Sequence, residues 1–291
     1  MCDAVIILCL MLQPLVASEK LNIKEIEKHR IVVAADSFLL QEPITITSFK
    51  SPRSAGSLHD FSSEGDYWWP DPKSPDGPYI QRDGMSNPDN FVEHRKAMIR
   101  FSIHVGTLTS AYRITGESLY AVHAAKHLVA WFVTDATKMN PQLLYAQAIK
   151  GKVTGRGTGI IDTIHLVEVA KAVSILESSG ALSAADADGI RTWFAEYMKW
   201  MMTHQYGMDE RDAKNNHGTC WVMQVAAFAQ LVGDTAAMNF CKTRFKEVLL
   251  PNQMVFPTTS YRSTIAASAP DAFGIFAPGT CVHVVPPLVV V

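Results

Sequence analysis

The sequence predicts an all-α fold, in which antiparallel helix hairpins curve into an α/α toroid with a long N-terminal aromatic loop. Three observations carry that expectation. Apolar residues recur at spacings of three and four through most of residues 91–249, which puts them on single helix faces. The turns at 180–183 and 233–234 are short enough to make the helices they join antiparallel neighbours. The stretch 51–90 is rich in Gly, Pro, Asp and Ser, yet it holds Tyr67, Trp68, Trp69 and Tyr79. Aromatics at that density argue against disorder, and so long a loop inside a domain is usually functional. An orthogonal helix bundle would show the same periodicity and is the plain alternative.

The elements follow in order. Residues 1–18 have an apolar run (Ala4–Leu12), a break at Gln13-Pro14 and small residues at Val16-Ala17-Ser18, the pattern of a signal peptide, although Asp3 is the only charge ahead of the run. A secreted or periplasmic protein is expected. The run is too short to cross a bilayer, which takes about 20 apolar residues. A short helix is expected over Leu21–His29 and a β-like run over Pro43–Phe49. The first long helix places Phe91, Met98, Phe101, Val105, Leu108 and Tyr112 on one face and stops at Gly116. A second covers Ser118–Phe132, with Tyr120, Ala124, Leu128 and Trp131 inward. After a loop with Gly151, Gly155, Gly157 and Gly159, a third runs over Ile160–Glu177 and ends at Gly180. Ser183 with Asp186 marks the start of a fourth, turning Ile190, Trp193, Tyr197, Trp200 and His204 inward. The fifth is His217–Val232 through Trp221, Val225 and Phe228. The sixth is Thr235–Leu249, with Met238, Cys241, Phe245 and Val248 inward.

With 48% hydrophobic residues and a net charge of -2, the composition is globular and offers no basic excess to draw nucleic acid or an anionic membrane. Neither partner is expected. An anionic ligand would need a local cluster of cations in a cleft. The five cysteines, Cys2, Cys9, Cys220, Cys241 and Cys281, are too widely spaced for a disulfide framework or a zinc motif.

Three clusters could carry chemistry. The first is the loop with Tyr67, Trp68, Trp69 and Arg82. Sugar rings have apolar faces ringed by hydroxyls, so aromatic platforms beside carboxylates and Arg suit them, as would a Pro-braced loop merely pinned to the core. The second is Asn215-Asn216-His217-Gly218 at the start of the fifth helix. Asn is a good N-cap, a helix N-terminus favours anions, and an amide with an imidazole there could bind a carboxylate and move a proton. A capping Asn beside an ordinary histidine would look the same. The third is Thr154 to Gly159, where the glycines suggest a flexible backbone bringing Arg156 to a cleft; the Gly-Lys-Ser/Thr ending of a phosphate loop is missing. Asp162, His165 and Glu168 follow at i, i+3 and i+6, spaced for a polar network on one helix face.

Several segments together resemble the alginate lyase superfamily: Ser54-Ala55-Gly56, His59-Asp60-Phe61, Glu64 to Pro72, Pro78-Tyr79-Ile80, Arg82-Asp83-Gly84, Asn87-Pro88, Leu144 to Ile149, Thr154 to Gly157, Ile161-Asp162-Thr163 and Lys214 to Gly218. They stand in the family's order over roughly residues 40–254. The resemblance implies an incomplete α/α toroid, spanning 19–254, that cleaves uronic-acid polysaccharides such as alginate or glucuronan by β-elimination. It implies Asn216 and His217 at the uronate carboxylate as catalytic groups, with substrate held by Tyr67, Trp68, Trp69, Arg82, Tyr145, Gln147, Arg156 and His165. No metal or cofactor is expected, and a monomer is.

The family also implies a proton-donating tyrosine past residue 254. Here residues 255–291 are rich in proline and end in Pro286-Pro287-Leu288-Val289-Val290-Val291, with Tyr261 in unfamiliar surroundings. An irregular, poorly packed, non-family tail is expected, and with it weak turnover. Two other functions remain open on the residues alone. A toroid glycoside hydrolase needs two carboxylates about 5–10 Å apart, for which Asp66, Asp71, Asp83 and Glu168 are candidates. A non-catalytic glycan-binding protein needs only the aromatic loop.

Overall fold

The computed structural model describes residues 22–253; the signal segment 1–18, the tail 255–291 and Tyr261 lie outside the described residues. The fold is all-α. Helix α1 is Ile23–Leu39, α2 Glu93–Thr115, α3 Ser118–Phe132, α4 Leu166–Ser179, α5 Ala184–Thr203, α6 Gln205–Arg211, α7 Asn216–Val232, α8 Thr235–Arg244 and α9 Leu250–Gln253. Strands are minor: β1 (Ser62–Glu64), β2 (Trp68–Trp69), β3 (Ile80–Gln81) and β4 (Tyr145–Ala148).

Three hairpins, α2–α3, α4–α5 and α7–α8, repeat one device. The first helix of each ends on a left-handed glycine, Gly116 at φ 79°, Gly180 at φ 76° and Gly233 at φ 78°. A side chain there would clash with its own backbone, so glycine is the residue that lets the chain reverse within two to four positions. Ser183 accepts from Asp186 N–H to start α5, and Asp234 caps α8 through Ala237 N–H. Helix α4 packs against both α2 and α7, so the first helices of the hairpins stand in a row. The core between the rows is aromatic: Phe101 stacks on Trp131 at 4.5 Å, Phe132 meets Trp193 at 4.5 Å, and Phe194 meets Phe228 at 5.1 Å. Edge and offset geometries of this kind add to the burial itself.

Four expectations need correction. The first helix runs to Leu39 despite its β-branched Ile31-Val32-Val33, because Ile31 and Ala35 are buried and Phe38 stacks on His104 at 4.1 Å; packing overrides propensity. The run Pro43–Phe49 has no strand partner and forms a 3-10 turn at Ile46–Ser48, pinned where Trp131 Nε1 donates to Ile44 O at 3.0 Å. The third helix begins only at Leu166. Residues 157–163 are a 3-10 turn instead, so Asp162, His165 and Glu168 do not share a helix face. The sixth helix breaks into a π turn over Phe245–Leu249, whose extra residue rotates Phe245 and Val248 outward and gives the buried place to Leu249. Cys241 is buried and Cys220 half-buried, both as free thiols. No described helix is long and apolar enough to cross a membrane.

Where α1 meets α2 and α3, three imidazoles meet edge to face: His104 with His127 at 5.2 Å and His127 with His123 at 5.1 Å. Burial, reinforced by the cationic Arg100 and by the other imidazoles, depresses His104 to about 4 and His127 to about 3 from an ordinary 6.5. Both are therefore neutral in the folded chain while the unfolded chain takes up their protons. Their contribution is fully present above about pH 6.5 and is lost as pH falls toward the folded values. Chemical denaturation across this range should show stability falling with a slope that approaches about two protons, and replacing His127 with Phe should flatten it toward one. Equal slopes in both chains would contradict this account.

Candidate active site

Because each first helix ends at its hairpin glycine, the starts of α2, α4 and α7 gather on the opposite side, where the loop residues meet them. Arg95 at the start of α2 lies 3.4 Å from Asp162, just ahead of α4, at ion-pair distance without an aligned hydrogen bond. Its other guanidinium nitrogen binds Asp66 at 2.8 Å. Asp162 is buried and accepts from Ser63 Oγ at 2.5 Å. A carboxylate in that position must be met by donors, and Asp162 draws them from three separate segments. Strand β1 pairs in parallel with β4, with a register shift opposite Ser63. At that shift Gln147 takes φ 50°, the one left-handed non-glycine among the described residues. The strained backbone is held from both sides. Its N–H donates to Ser63 Oγ at 2.8 Å, and its side chain reaches Asp162 at 3.4 Å.

Gln147 in turn holds Arg156. Its side-chain oxygen accepts from Arg156 Nη2 at 2.8 Å, and its carbonyl from Arg156 Nε at 3.2 Å. The glycines around Arg156 serve close approach, which replaces the flexible-loop expectation. A Cβ on Gly155 would sit 2.0 Å from Leu144 O, and one on Gly159 2.9 Å from Ala146 O. One on Gly157 would sit 2.7 Å from Tyr206 O, so this turn packs directly on α6. The guanidinium also lies against the aromatic loop. A Cβ on Gly65 would stand 3.0 Å from Arg156 Nη2 and 2.7 Å from the Trp68 ring. Burial pulls Arg156 below its ordinary value, opposed by Asp162, Asp66 and Glu210.

Glu210, on the short helix α6 that the periodicity did not reveal, closes the ring of contacts. Its side chain is 1% exposed, and it binds His217 Nδ1 at 2.6 Å. Asn215 caps α7 by accepting His217 N–H at 3.2 Å, which leaves Asn216 as the first helical residue. Asn216 is exposed, and its side chain makes no hydrogen bond among the described residues. Gln253, at the end of α9, donates to Asn215 O at 2.8 Å and meets Thr219 Oγ1 at 2.6 Å, tying the end of α9 to the start of α7.

The remaining expected residues divide. Trp68 and Trp69 pair with Gln81 and Ile80, and Tyr67 O accepts Arg82 N–H at 2.8 Å, which makes this loop a built hairpin. Arg82 covers the Trp69 ring at 5.4 Å. The Tyr145 ring lies over Gly56, where a Cβ would come within 2.6 Å. His165 is half-buried at the N-cap of α4, and burial lowers its pKa against the pull of Asp162. Glu168 points away to Lys171 at 3.0 Å, and Asp66 is spent on Arg95, so two of the four hydrolase candidates are engaged elsewhere. Among the described residues no group of three or more His, Cys, Asp or Glu is placed to hold a metal ion. Ser63, Arg95 and Glu210 escaped the sequence reading. Glu210 stands seven residues before His217, a spacing with no meaning until α6 folds back on α7.

A family model described as alginate lyase matches residues 45–263, most of the chain and part of the segment read as tail. The chain belongs to the alginate lyase family. Among solved structures it is similar to an alginate lyase from Bacteroides ovatus, with 35% identity and a TM-score of 0.73 over 80% of this chain and 64% of that one. It therefore spans a little under two thirds of that relative's length. No curated protein matches it.

The Asp162 network makes a stability prediction. Asp162→Ala should cost about 3 kcal/mol in urea denaturation, since it strands buried donors of three segments. Glu168→Ala, which removes a surface pair, should stay within about 0.5 kcal/mol. Comparable losses would mean that the network is not what joins these segments.

Proposed function

We propose that this member of the alginate lyase family is a polysaccharide lyase that cleaves a uronic-acid polymer, alginate or glucuronan in type, by β-elimination. The observation that carries the reading is the buried Glu210 carboxylate on His217 Nδ1, with Arg156 close enough to feel the same carboxylate. Similarity to the Bacteroides ovatus alginate lyase supports it.

The chemistry follows from the charges. The C5 proton of a uronate lies α to a carboxylate, so removing it builds a second negative charge on an anionic group. Donors aimed at that group in advance lower the barrier most. Arg156 and, at the positive end of α7, the exposed amide of Asn216 are such donors. The Glu210 carboxylate accepts a hydrogen bond from His217 Nδ1–H, and Nε2 then offers its lone pair to the C5 proton. The glycosidic oxygen on C4 leaves as the double bond forms between C4 and C5. Its proton comes from the imidazolium or from water, unless a tyrosine outside the described residues supplies it. Tyr67, Trp68, Trp69, Arg82, Tyr145, Gln147 and His165 would hold the sugars. Export to the cell exterior or periplasm suits a polymer substrate, and a monomer suffices for the site.

Incubation with alginate and with glucuronan, followed by ultraviolet absorbance of the conjugated product, tests the reading; a hydrolase or a binding protein yields no such absorbance. His217→Ala should lower kcat by about 100-fold or more per folded molecule, and because it leaves the buried Glu210 carboxylate without its partner it should lower the melting temperature as well. Glu210→Ala, which frees the imidazole to choose its tautomer, should lower kcat by roughly 100-fold. A variant of either residue that turned over at the full rate would remove the residue from the mechanism.

A further inference from the structure

Where the 3-10 turn 157–163 meets α5 and α7, three polar side chains are fully buried: Thr163, Tyr197 and Gln224. Thr163 Oγ1 stands 2.6 Å from Tyr197 OH, 2.9 Å from Gln224 Oε1 and 2.9 Å from Ile160 O. Gln224 Nε2 donates to Ile160 O at 3.3 Å and to Cys220 O at 3.4 Å. A threonine hydroxyl has one proton and cannot serve two acceptors at once, so counting protons fixes the order. Tyr197 has no other partner among the described residues, and its O–H donates to Thr163. Thr163 O–H then donates to Gln224 Oε1, which has no other donor among those residues, and the Gln224 amide N–H closes the chain on Ile160 O. Turning the amide over would set its oxygen against two carbonyls. In this one order every buried group is met, and each bond polarises the next.

The chain ties α7 to the turn. His217 and Gln224 are seven residues apart on α7, so they share one face at a separation of about 10 Å along the axis. Glu210 fixes the first at 2.6 Å, and Thr163 fixes the second at 2.9 Å. Thr163 is the last residue of the 3-10 turn whose N-cap is Arg156. The turn is thus gripped at both ends, by Gln147 on Arg156 at 2.8 Å and by Gln224 on Thr163. The path from the imidazole to the guanidinium along α7 and the turn runs through Gln224.

We propose that Gln224 is a positioning residue: by fastening α7 to the 3-10 turn, it sets where the His217 imidazole stands relative to Arg156. It acts through those two residues, from a buried place behind them. In a uronate the carboxylate carbon is bonded to C5, so the group that takes the C5 proton and the group that holds the carboxylate must keep one fixed relation. A misplacement of about 1 Å costs roughly 100-fold in rate. The kinetic consequence rests on the lyase reading, whereas the placement of His217 can be read without turnover, so the two can fail separately.

Two variants of the full chain decide it. Gln224→Met keeps the length of the side chain and lets Thr163 turn its proton to Ile160 O, already at 2.9 Å, so no buried hydroxyl is orphaned and the fold survives. Tyr197→Phe is the companion: it removes the far end of the chain and leaves the bond between Thr163 and Gln224. In NMR of histidines labelled at the ring nitrogens, Gln224→Met should move the His217 signals and Tyr197→Phe should leave them in place. His94, held by Ser62 N–H at 2.9 Å and Phe49 O at 3.0 Å, is the internal reference and should move in neither. On the uronan that yields unsaturated product, Gln224→Met should lower kcat about tenfold per folded molecule with KM within about twofold, and Tyr197→Phe should stay within about twofold in both. Unmoved His217 signals in Gln224→Met would overturn the proposal. So would signals moved as far by Tyr197→Phe, an undiminished kcat in Gln224→Met, or a loss that fell on KM alone. A wild-type chain that forms no unsaturated product sinks the lyase reading, and the His217 signals then decide the placement by themselves.

Discussion

A carboxylate removed from water has to be answered by donors and cations, and much of this molecule is arranged around answering Asp162. Ser63 comes from β1, Gln147 from β4 and Arg95 from α2, while the aspartate itself sits on the 3-10 turn leading into α4. Without those partners the burial would be strongly unfavourable, so the four segments are bound to one geometry. That geometry is what aims Arg156. Gln147, held in a left-handed backbone conformation that a non-glycine residue adopts only under constraint, grips the guanidinium through both its amide oxygen and its carbonyl.

The hairpin glycines do the complementary work at larger scale. By ending α2, α4 and α7 at Gly116, Gly180 and Gly233, they put every reversal on one side and leave three helix starts on the other. Helix starts carry partial positive charge and unsatisfied N–H groups, so the side where the loops gather is biased toward anions before any side chain is counted. Arg95, His165 and His217 stand at or beside those starts. The glycines near Arg156 bring backbones into contact, joining the 3-10 turn to β4 on one flank and to α6 on the other. Segments joined by such close contacts leave Arg156 little room to move.

Within that frame the division of labour is chemical. The buried side of the site supplies Glu210 and Asp162, carboxylates that orient an imidazole and, through Gln147, a guanidinium. The exposed side supplies aromatic rings with cations over them, Arg82 on Trp69 and Lys152 on Trp68. The edge-to-face histidines between α1, α2 and α3 belong to neither side. They tie the long N-terminal helix to the hairpins, and they make the fold sensitive to acid.

Local chemistry was legible in the sequence. Periodicity placed α3 over Ser118–Phe132, Ser183 and Asp186 announced the start of α5, Gly116 and Gly180 marked helix ends, and the Asn215 to Gly218 segment stood out as a capped helix start that favours anions. These signals act within one turn of helix, so neighbours in sequence are enough to reveal them. The rest was decided in three dimensions. The pairing of β1 with β4 joins residues some eighty positions apart, and α6 is too short to show a period. A glycine kept for close approach reads the same as one kept for flexibility until the opposing carbonyl is in view. Phe245 and Val248 followed the helical rhythm until a single extra residue in a π turn carried them outward. Above all, the partners of Asp162, Arg156 and His217 are electrostatic choices. A buried charge selects whichever donors the fold brings within reach, and only the folded chain says which those are.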